Sequence, residues 1–121
     1  MKNTKQNIGS EGENLAATHL KSLGYEIIGR NLRIKNDELD ILARDGEMLV
    51  FVEVKTRVSD TYGVPEDFVN YQKEQHMIRF AENYIFENDW RGESRFDIVA
   101  VHYQGRNTVL RHIVDAFYPS A

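Results

Sequence analysis

Residues 37–57 place charged side chains on an otherwise apolar β-hairpin. Glu38 and Asp40 lie on its first arm, Glu53 lies on its second arm, and Lys55 follows two residues later. Charged residues are almost never fully buried unless they are paired or bind a metal. Because the residues around Glu53 are valines and a phenylalanine typical of a core strand, the pattern predicts a divalent-metal site.

The expected register of this hairpin follows from its turn. Asp-Gly at residues 45–46 is a strong signal for a two-residue hairpin loop. With these residues as the loop, Asp40 faces Phe51 and Glu38 faces Glu53 across the two arms. A three-residue loop would shift the register by one residue and move Asp40 to the face away from Glu53.

In the expected register, the four charged residues share one face, because side chains alternate along a strand. Asp40 and Glu53 become diagonal neighbours, about 7–8 Å apart at the backbone. Both carboxylates can then converge on one cation that binds oxygen at about 2.0–2.1 Å. Lys55, one pleat beyond Glu53, is placed to hold a water or steady a phosphate. The opposite face is expected to be fully apolar, with Leu39, Ile41, Val50, Val52 and Val54.

The rest of the chain indicates an α/β domain with the order α-β-β-β-α-β-β. A helix is predicted from Ser10, in a Ser10-x-x-Glu13 capping box, to just before Gly24, after a disordered tail of residues 1–8. A second helix is predicted from about residue 66 or 70 to residue 88, after a polar loop at residues 59–64. The predicted strands are residues 25–34, 38–44, 47–56, 95–103 and 108–114. A helix between two strands suggests a mixed central sheet flanked by helices.

Composition narrows the class of protein. At 121 residues the chain is expected to be a single domain, 1–121. It has no cysteine, which excludes disulfides and thiolate metal sites and fits a reducing cytoplasm. No apolar run approaches the ~20 residues of a membrane span, so no membrane is expected. The net charge of −4 counts mildly against binding nucleic acid by bulk electrostatics.

The motifs, taken in order, resemble a known family. They are Gly12-Glu13, Glu38-Leu39-Asp40 and Glu53-Val54-Lys55-Thr56-Arg57. This combination resembles the restriction-endonuclease-like fold with its Asp…Glu-x-Lys signature, and the resemblance covers most of the chain. More narrowly, the chain is similar to the small bacterial YraN-like proteins, which are similar to archaeal Holliday junction resolvases. Asp37 departs from the pattern, which commonly has glycine there, and the extra acid is expected to alter the site's charge or metal preference.

The resemblance implies a nuclease that hydrolyses phosphodiester bonds in DNA, with branched DNA among its substrates. Mg²⁺ or Mn²⁺ would be bound by Asp40, Glu53 and the Val54 carbonyl, and Glu13 would add a carboxylate from the first helix. Glu13 equally suits the capping box, so both roles stay open. The expected supporting residues are Glu38, Arg57, Gln72 and Lys73. Catalysis would rest on Asp40, Glu53 and Lys55.

Several alternatives remain at this stage. The same fold could serve as a nucleic-acid-binding module without turnover, or as a protein-interaction domain whose carboxylates form salt bridges. Asp97 interrupts an apolar strand and is interpreted as a fold-stabilising acid or a distant member of the site. The histidines lack zinc-ligand spacing. Oligomeric state stays open, a homodimer included.

Overall fold

The computed structural model describes residues 4–58 and 71–119. The predicted order α-β-β-β-α-β-β is confirmed there. The predicted loop at residues 59–64 and the alternative helix start at residue 66 lie outside the described residues. The elements are α1 (Thr4–Ser22), β1 (Glu26–Ile34), β2 (Asp37–Asp45), β3 (Met48–Val58), α2 (Tyr71–Glu87), β4 (Ser94–Gln104) and β5 (Asn107–Phe117).

The strands of the described chain form one mixed sheet in the order β1-β2-β3-β4-β5. Neighbouring strands are antiparallel except β3 and β4, which are parallel and flank α2 in sequence. Alternate residues of β3 explain why the two helices cover opposite faces: Val50 and Val52 pack with α1, and Leu49 and Phe51 pack with α2. Within the described residues, neither helix is long and apolar enough to cross a membrane.

Helix α1 begins earlier than the capping pattern predicts. It starts at Thr4, so residues 4–8 of the expected tail are helical and residues 1–3 lie outside the described range. Ser10 and Glu13 are therefore interior to the helix, and the predicted capping box is wrong. The predicted end is confirmed: Gly24 follows the helix with a φ of 91°, and its N–H donates to the carbonyl of Lys21 at 2.9 Å.

The β2–β3 hairpin has a different register from the predicted one. Asp45 pairs with Met48, so the loop is Gly46-Glu47 rather than Asp45-Gly46. Gly46 has a φ of 63°, a conformation that glycine adopts without steric cost at this loop position. The register moves by two residues, from Leu42 opposite Leu49 to Leu42 opposite Phe51. Because an even shift keeps each regular strand position on its own face, the register error alone does not move Asp40 away from Glu53.

The strict alternation expected along β2 breaks at Asp40. Ile41 and Ala43 pack with α1, whereas Leu39 packs with α2 although it is only two residues from Ile41. The expectation that Leu39 shares the apolar face of Ile41 is therefore wrong. In the neighbouring strand, Asn31 has a φ of 52°, close to the same point. The irregularity frees the Asp40 side chain from the regular pattern of the sheet.

Candidate metal and phosphodiester site

Asp40 stands where β2 and β3 stop pairing through their backbones. The last residue pair of the hairpin at this end is Ile41 opposite Val52. Beyond it, the backbone N–H of Val54 donates to Asp40 Oδ2 at 2.8 Å. A side-chain carboxylate thus takes the place of a ladder carbonyl, which fixes Asp40 beside Glu53 on the adjacent strand.

Glu53 is a buried acid that the surrounding protein satisfies only in part. The residue is 4% exposed, and its Oε1 lies 3.4 Å from Lys73 Nζ. Its Oε2 is buried with no hydrogen-bond partner in the described part of the chain. Burial, followed by the negative charge of Asp40, raises the pKa of Glu53 to about 8, although Lys73 acts in the opposite direction.

An open pocket of about 340 Å³ joins these acids to α1. Its lining residues are Gly9, Glu13, Asp40, Glu53, Val54, Lys55 and Thr56. Glycine at position 12 allows α1 to lie this close to β3, because a Cβ there would collide with Thr56 Oγ1. The predicted catalytic set of Asp40, Glu53 and Lys55 is therefore brought together at one pocket.

Glu13 reaches this pocket from the middle of α1, with partners other than a helix cap. Its Oε1 accepts hydrogen bonds from Arg30 Nε and Nη2 at 3.2 Å and from Asn31 Nδ2 at 2.9 Å. The side chain is 14% exposed. The structure thus replaces the capping role with an ion pair to β1 at the wall of the pocket.

The four supporting residues predicted from sequence are not among the residues that line the pocket, although one of them contacts Glu53. Lys73 contacts Glu53 directly, and Arg57 is half-buried near the end of β3. Glu38 is exposed and pairs with Arg33 at 3.4 Å, outside the residues that line the pocket. Gln72 is exposed at the start of α2.

Asp37, the departure from the family pattern, is buried and neutralised by α2. Its carboxylate lies 2.7 Å from His76 Nδ1 and 3.1 Å from Arg79 Nη2. Burial alone would raise the pKa of Asp37, but hydrogen bonds from His76 and Arg79 lower it overall. Because its charge is held by these partners and it does not line the pocket, we expect little direct effect on the Asp40–Glu53 pair.

Asp97 anchors a second buried network, between β4, β5 and α1. It is 0% exposed and accepts hydrogen bonds from Arg95 Nε and from the backbone N–H of Asp115, both at 3.0 Å. His112 Nε2 lies 2.8 Å from Asp97, and His112 Nδ1 lies 3.1 Å from His19 Nε2. Asp97 is therefore the fold-stabilising acid of the two sequence-based alternatives. Sequence reasoning missed its histidine partners, whose wide separation leaves no local signal.

The residues at the pocket fit a small hard cation. The described residues contain no group of three or more His, Cys, Asp or Glu side chains that could hold a metal. Mg²⁺, however, is usually bound through one or two carboxylates, and water and substrate phosphate complete its coordination. Asp40 and Glu53 supply two carboxylates, and the unpartnered Oε2 of Glu53 is a ligand atom that the described protein leaves unused.

Comparison with known proteins places the acids and lysines of the site inside one matched region. A family model described as "Uncharacterised protein family UPF0102" matches residues 12–101. A UPF0102 protein of Flavobacterium johnsoniae is 46% identical over 117 residues, 92% of this chain and 94% of that protein. A UPF0102 protein of Chlorobium chlorochromatii is 38% identical over 122 residues, 96% of this chain and 95% of that protein. A UPF0102 protein of Caldicellulosiruptor saccharolyticus is 41% identical over 107 residues, 88% of this chain and 91% of that protein.

Proposed function

This chain belongs to the uncharacterised protein family UPF0102, and we propose that it is a metal-dependent nuclease that hydrolyses phosphodiester bonds in DNA. The proposal includes Mg²⁺ or Mn²⁺ as cofactor and the cytoplasm as location, the latter because the chain lacks cysteine. Branched DNA enters only through the resemblance to junction resolvases.

The observation that carries the proposal is the buried Oε2 of Glu53, which receives no hydrogen bond from a donor in the described part of the chain and lies beside a second acid, Asp40. A buried polar atom without a partner costs stability, on the order of 1–3 kcal/mol and more when charged. Natural proteins keep few such atoms, and strongly perturbed acids cluster at functional sites. Here the atom lies beside Asp40 at an open pocket, which gives a cation both a binding place and an entry path.

Each residue at the pocket has a separate role in the proposed reaction. Asp40 and Glu53 would hold the divalent ion, with the Val54 carbonyl and Glu13 as further candidate ligands. Such an ion polarises a phosphoryl oxygen and lowers the pKa of a bound water. Lys55 lines the same pocket and offers an ammonium to orient the attacking water or to stabilise charge on the phosphoryl group.

The basic side chains near the pocket bear on the choice of substrate. Lys55 lines the pocket with the acids, Arg57 follows two residues later on β3, and Arg30 reaches the pocket wall through Glu13. These cations suit a phosphate backbone, the part of nucleic acid that dominates its affinity. A bound cation would also offset the local negative charge of the carboxylates.

The contact between Glu53 and Lys73 favours one alternative, a protein-interaction domain whose acids form salt bridges. That contact satisfies only one oxygen of Glu53, and the pKa of the acid stays high in spite of it. The second alternative is a binding module on the same fold without turnover. Metal response and cleavage separate these alternatives from a nuclease.

The test combines cleavage with metal binding. Wild type is incubated with linear, flapped and four-way DNA in Mg²⁺ or Mn²⁺, and thermal unfolding is followed with and without millimolar Mn²⁺. We expect cleavage, and stabilisation by mass action as the site fills. Asp40→Asn should lose most of the Mn²⁺ stabilisation. Lys55→Ala should lose cleavage yet keep the Mn²⁺ stabilisation, because an ammonium is not a metal ligand.

Lys21→Ala is the matched control, because Lys21 is exposed near the end of α1 and does not line the pocket. Equal Mn²⁺ stabilisation of wild type and Asp40→Asn would contradict the shared site. DNA binding without cleavage in any metal would favour the binding module. No metal response and no DNA binding would favour the interaction domain.

A further inference from the structure

Lys73 is the cation that the protein itself supplies to Glu53. It lies in the first turn of α2, and its Nζ is 3.4 Å from Glu53 Oε1. The side chain of Lys73 is 37% exposed, whereas that of Glu53 is 6% exposed. The ammonium therefore reaches a buried carboxylate from a position that remains in contact with solvent.

This ion pair competes with a divalent cation for the same acid. A divalent ion held by Asp40 and Glu53 carries twice the charge of the ammonium and repels it at short range. Glu53 would then be neutralised by the stronger cation, and the attraction between Glu53 and Lys73 would be lost. Its four-carbon stem is flexible and its head is strongly hydrated, so withdrawal from the carboxylate needs no movement of the backbone.

We infer that Lys73 is a metal-displaced counter-ion, which pairs with ionised Glu53 in the metal-free protein and contacts substrate phosphate once metal has released it. This inference rests on the proposed function, because it requires the metal site at Asp40 and Glu53. It gives Lys73 two successive partners, a carboxylate and then a phosphate. Nucleic-acid contact through Lys73 is thereby coupled to metal loading.

The exchange can be observed without any measurement of cleavage, at pH 9, where Glu53 is ionised because its pKa is about 8. Reductive methylation with a ¹³C label keeps the positive charge of lysine, and the chain has only six lysines to resolve. The Lys73 signal is assigned by its loss in Lys73→Arg. Addition of Mg²⁺ should move this signal to a saturating end point, whereas the signal of exposed Lys21 should stay in place. In Glu53→Gln the Lys73 signal should not respond to Mg²⁺.

Thermal unfolding of the same methylated samples distinguishes failure of the Lys73 exchange from failure of the metal site. A Mg²⁺-dependent rise in unfolding temperature with a static Lys73 signal overturns the exchange and leaves the metal site standing. No rise and no movement overturn both. A Lys73 signal that moves equally in wild type and Glu53→Gln also overturns the exchange, because the motion would not depend on release from Glu53.

The phosphate partner is tested by the salt dependence of DNA binding, with Lys55→Ala as the background to block cleavage. In Mg²⁺, adding Lys73→Met should reduce the slope of log affinity against log salt by about one, the loss of one phosphate contact. In EDTA at pH 9, above the pKa of Glu53, the two proteins should have equal slopes, because Lys73 then pairs with ionised Glu53. Adding Lys21→Met instead should change neither slope. Equal slopes in Mg²⁺ for the proteins with and without Lys73→Met would overturn the phosphate contact.

Discussion

The carboxylate of Asp40 accepts the backbone N–H of Val54 at 2.8 Å, so the acid that joins two diverging strands also stands beside Glu53. Asp40 therefore combines a structural hydrogen bond with electrostatic repulsion of its neighbour. These two effects oppose each other in the metal-free protein. Substitutions that keep or remove the hydrogen-bond acceptor can separate them.

Asp40→Asn keeps an oxygen for the Val54 N–H and removes the charge, so the free energy of unfolding in EDTA should be unchanged or higher. Asp40→Ala leaves that N–H without its acceptor and should cost about 1–3 kcal/mol. Urea unfolding of both variants measures the difference. Equal destabilisation by the two substitutions would contradict the role of the Val54 hydrogen bond.

The raised pKa of Glu53 predicts that the metal-free fold loses stability as pH rises. The folded protein keeps this proton up to a pKa of about 8, whereas the unfolded chain releases it near the model value of 4.5. The stabilisation is thus fully present below the lower value and is lost as pH rises through the higher one. Between pH 6 and 8 the loss should be on the order of 2 kcal/mol.

Glu53→Gln should abolish that part of the pH dependence, measured as the free energy of urea unfolding in EDTA. The difference between wild type and variant is the relevant quantity, because His19 has a lowered pKa and gives the opposite trend, a gain as pH rises. The lowered pKa values of Asp37 and Asp97 act only at more acidic pH. A flat difference from pH 6 to 8 would contradict the raised pKa of Glu53.

Gly12→Ala should destabilise the protein although alanine is the better helix former by about 1 kcal/mol. The added methyl group would meet Thr56 Oγ1 and lie 3.3 Å from Thr56 Cβ, which forces α1 away from β3. We expect a loss of about 1–3 kcal/mol, typical of overpacking, together with weaker Mn²⁺ stabilisation as the pocket opens.

Thr56→Ala in the Gly12→Ala background should restore most of that stability, because it removes Oγ1. Thr56→Ser retains Oγ1 and should restore much less. Gly9→Ala is a control on the same helix, since nothing lies within 4 Å of a Cβ at that position. Equal effects of the Gly9 and Gly12 substitutions would contradict the close approach at Thr56.

Glu13→Gln tests whether α1 contributes charge to the pocket. Glutamine can still accept from Asn31, and the ion pair with Arg30 is partly exposed, so stability in EDTA should change little. Apparent Mn²⁺ affinity, followed by thermal unfolding, should fall about tenfold, as expected for an outer-shell partner. An unchanged affinity would confine Glu13 to its contacts with β1.

Asp97→Asn should be the most destabilising of these changes, by about 3 kcal/mol, because it leaves the mostly buried Arg95 with only its longer contact, at 3.5 Å, to the more exposed Asp45. Burial alone would raise the pKa of Asp97, but bonds from His112 and Arg95 hold it below its usual value. This stability is present above the unfolded pKa and is lost as pH falls through the folded one. Asp89→Asn, in an exposed pair with Arg91, is the control and should change little. Similar losses from both variants would contradict the role of Asp97.

The sequence by itself determined the order of the helices and strands and the proximity of Asp40 and Glu53 on neighbouring arms of one hairpin. The order follows from local periodicity, and the proximity follows from the hairpin itself. The break in alternation at Asp40 was not visible in the sequence. The predicted hairpin loop was displaced by one residue, so every predicted pairing differs from the observed one by two residues, and the two acids still lie close together. The end of helix α1 before Gly24 was also predictable from local sequence, since it depends on one residue with a positive φ.

Only the tertiary structure decided which partners these acids have. Lys73 meets Glu53, Arg79 meets Asp37 and His112 meets Asp97 across separate elements, and such long-range contacts leave no periodic signal in the chain. Helix α1 likewise begins before its capping pattern, and Glu13 finds its partners on β1 instead. A sequence pattern records local preference, whereas the ionisation and contacts of a buried acid depend on what the whole fold packs around it.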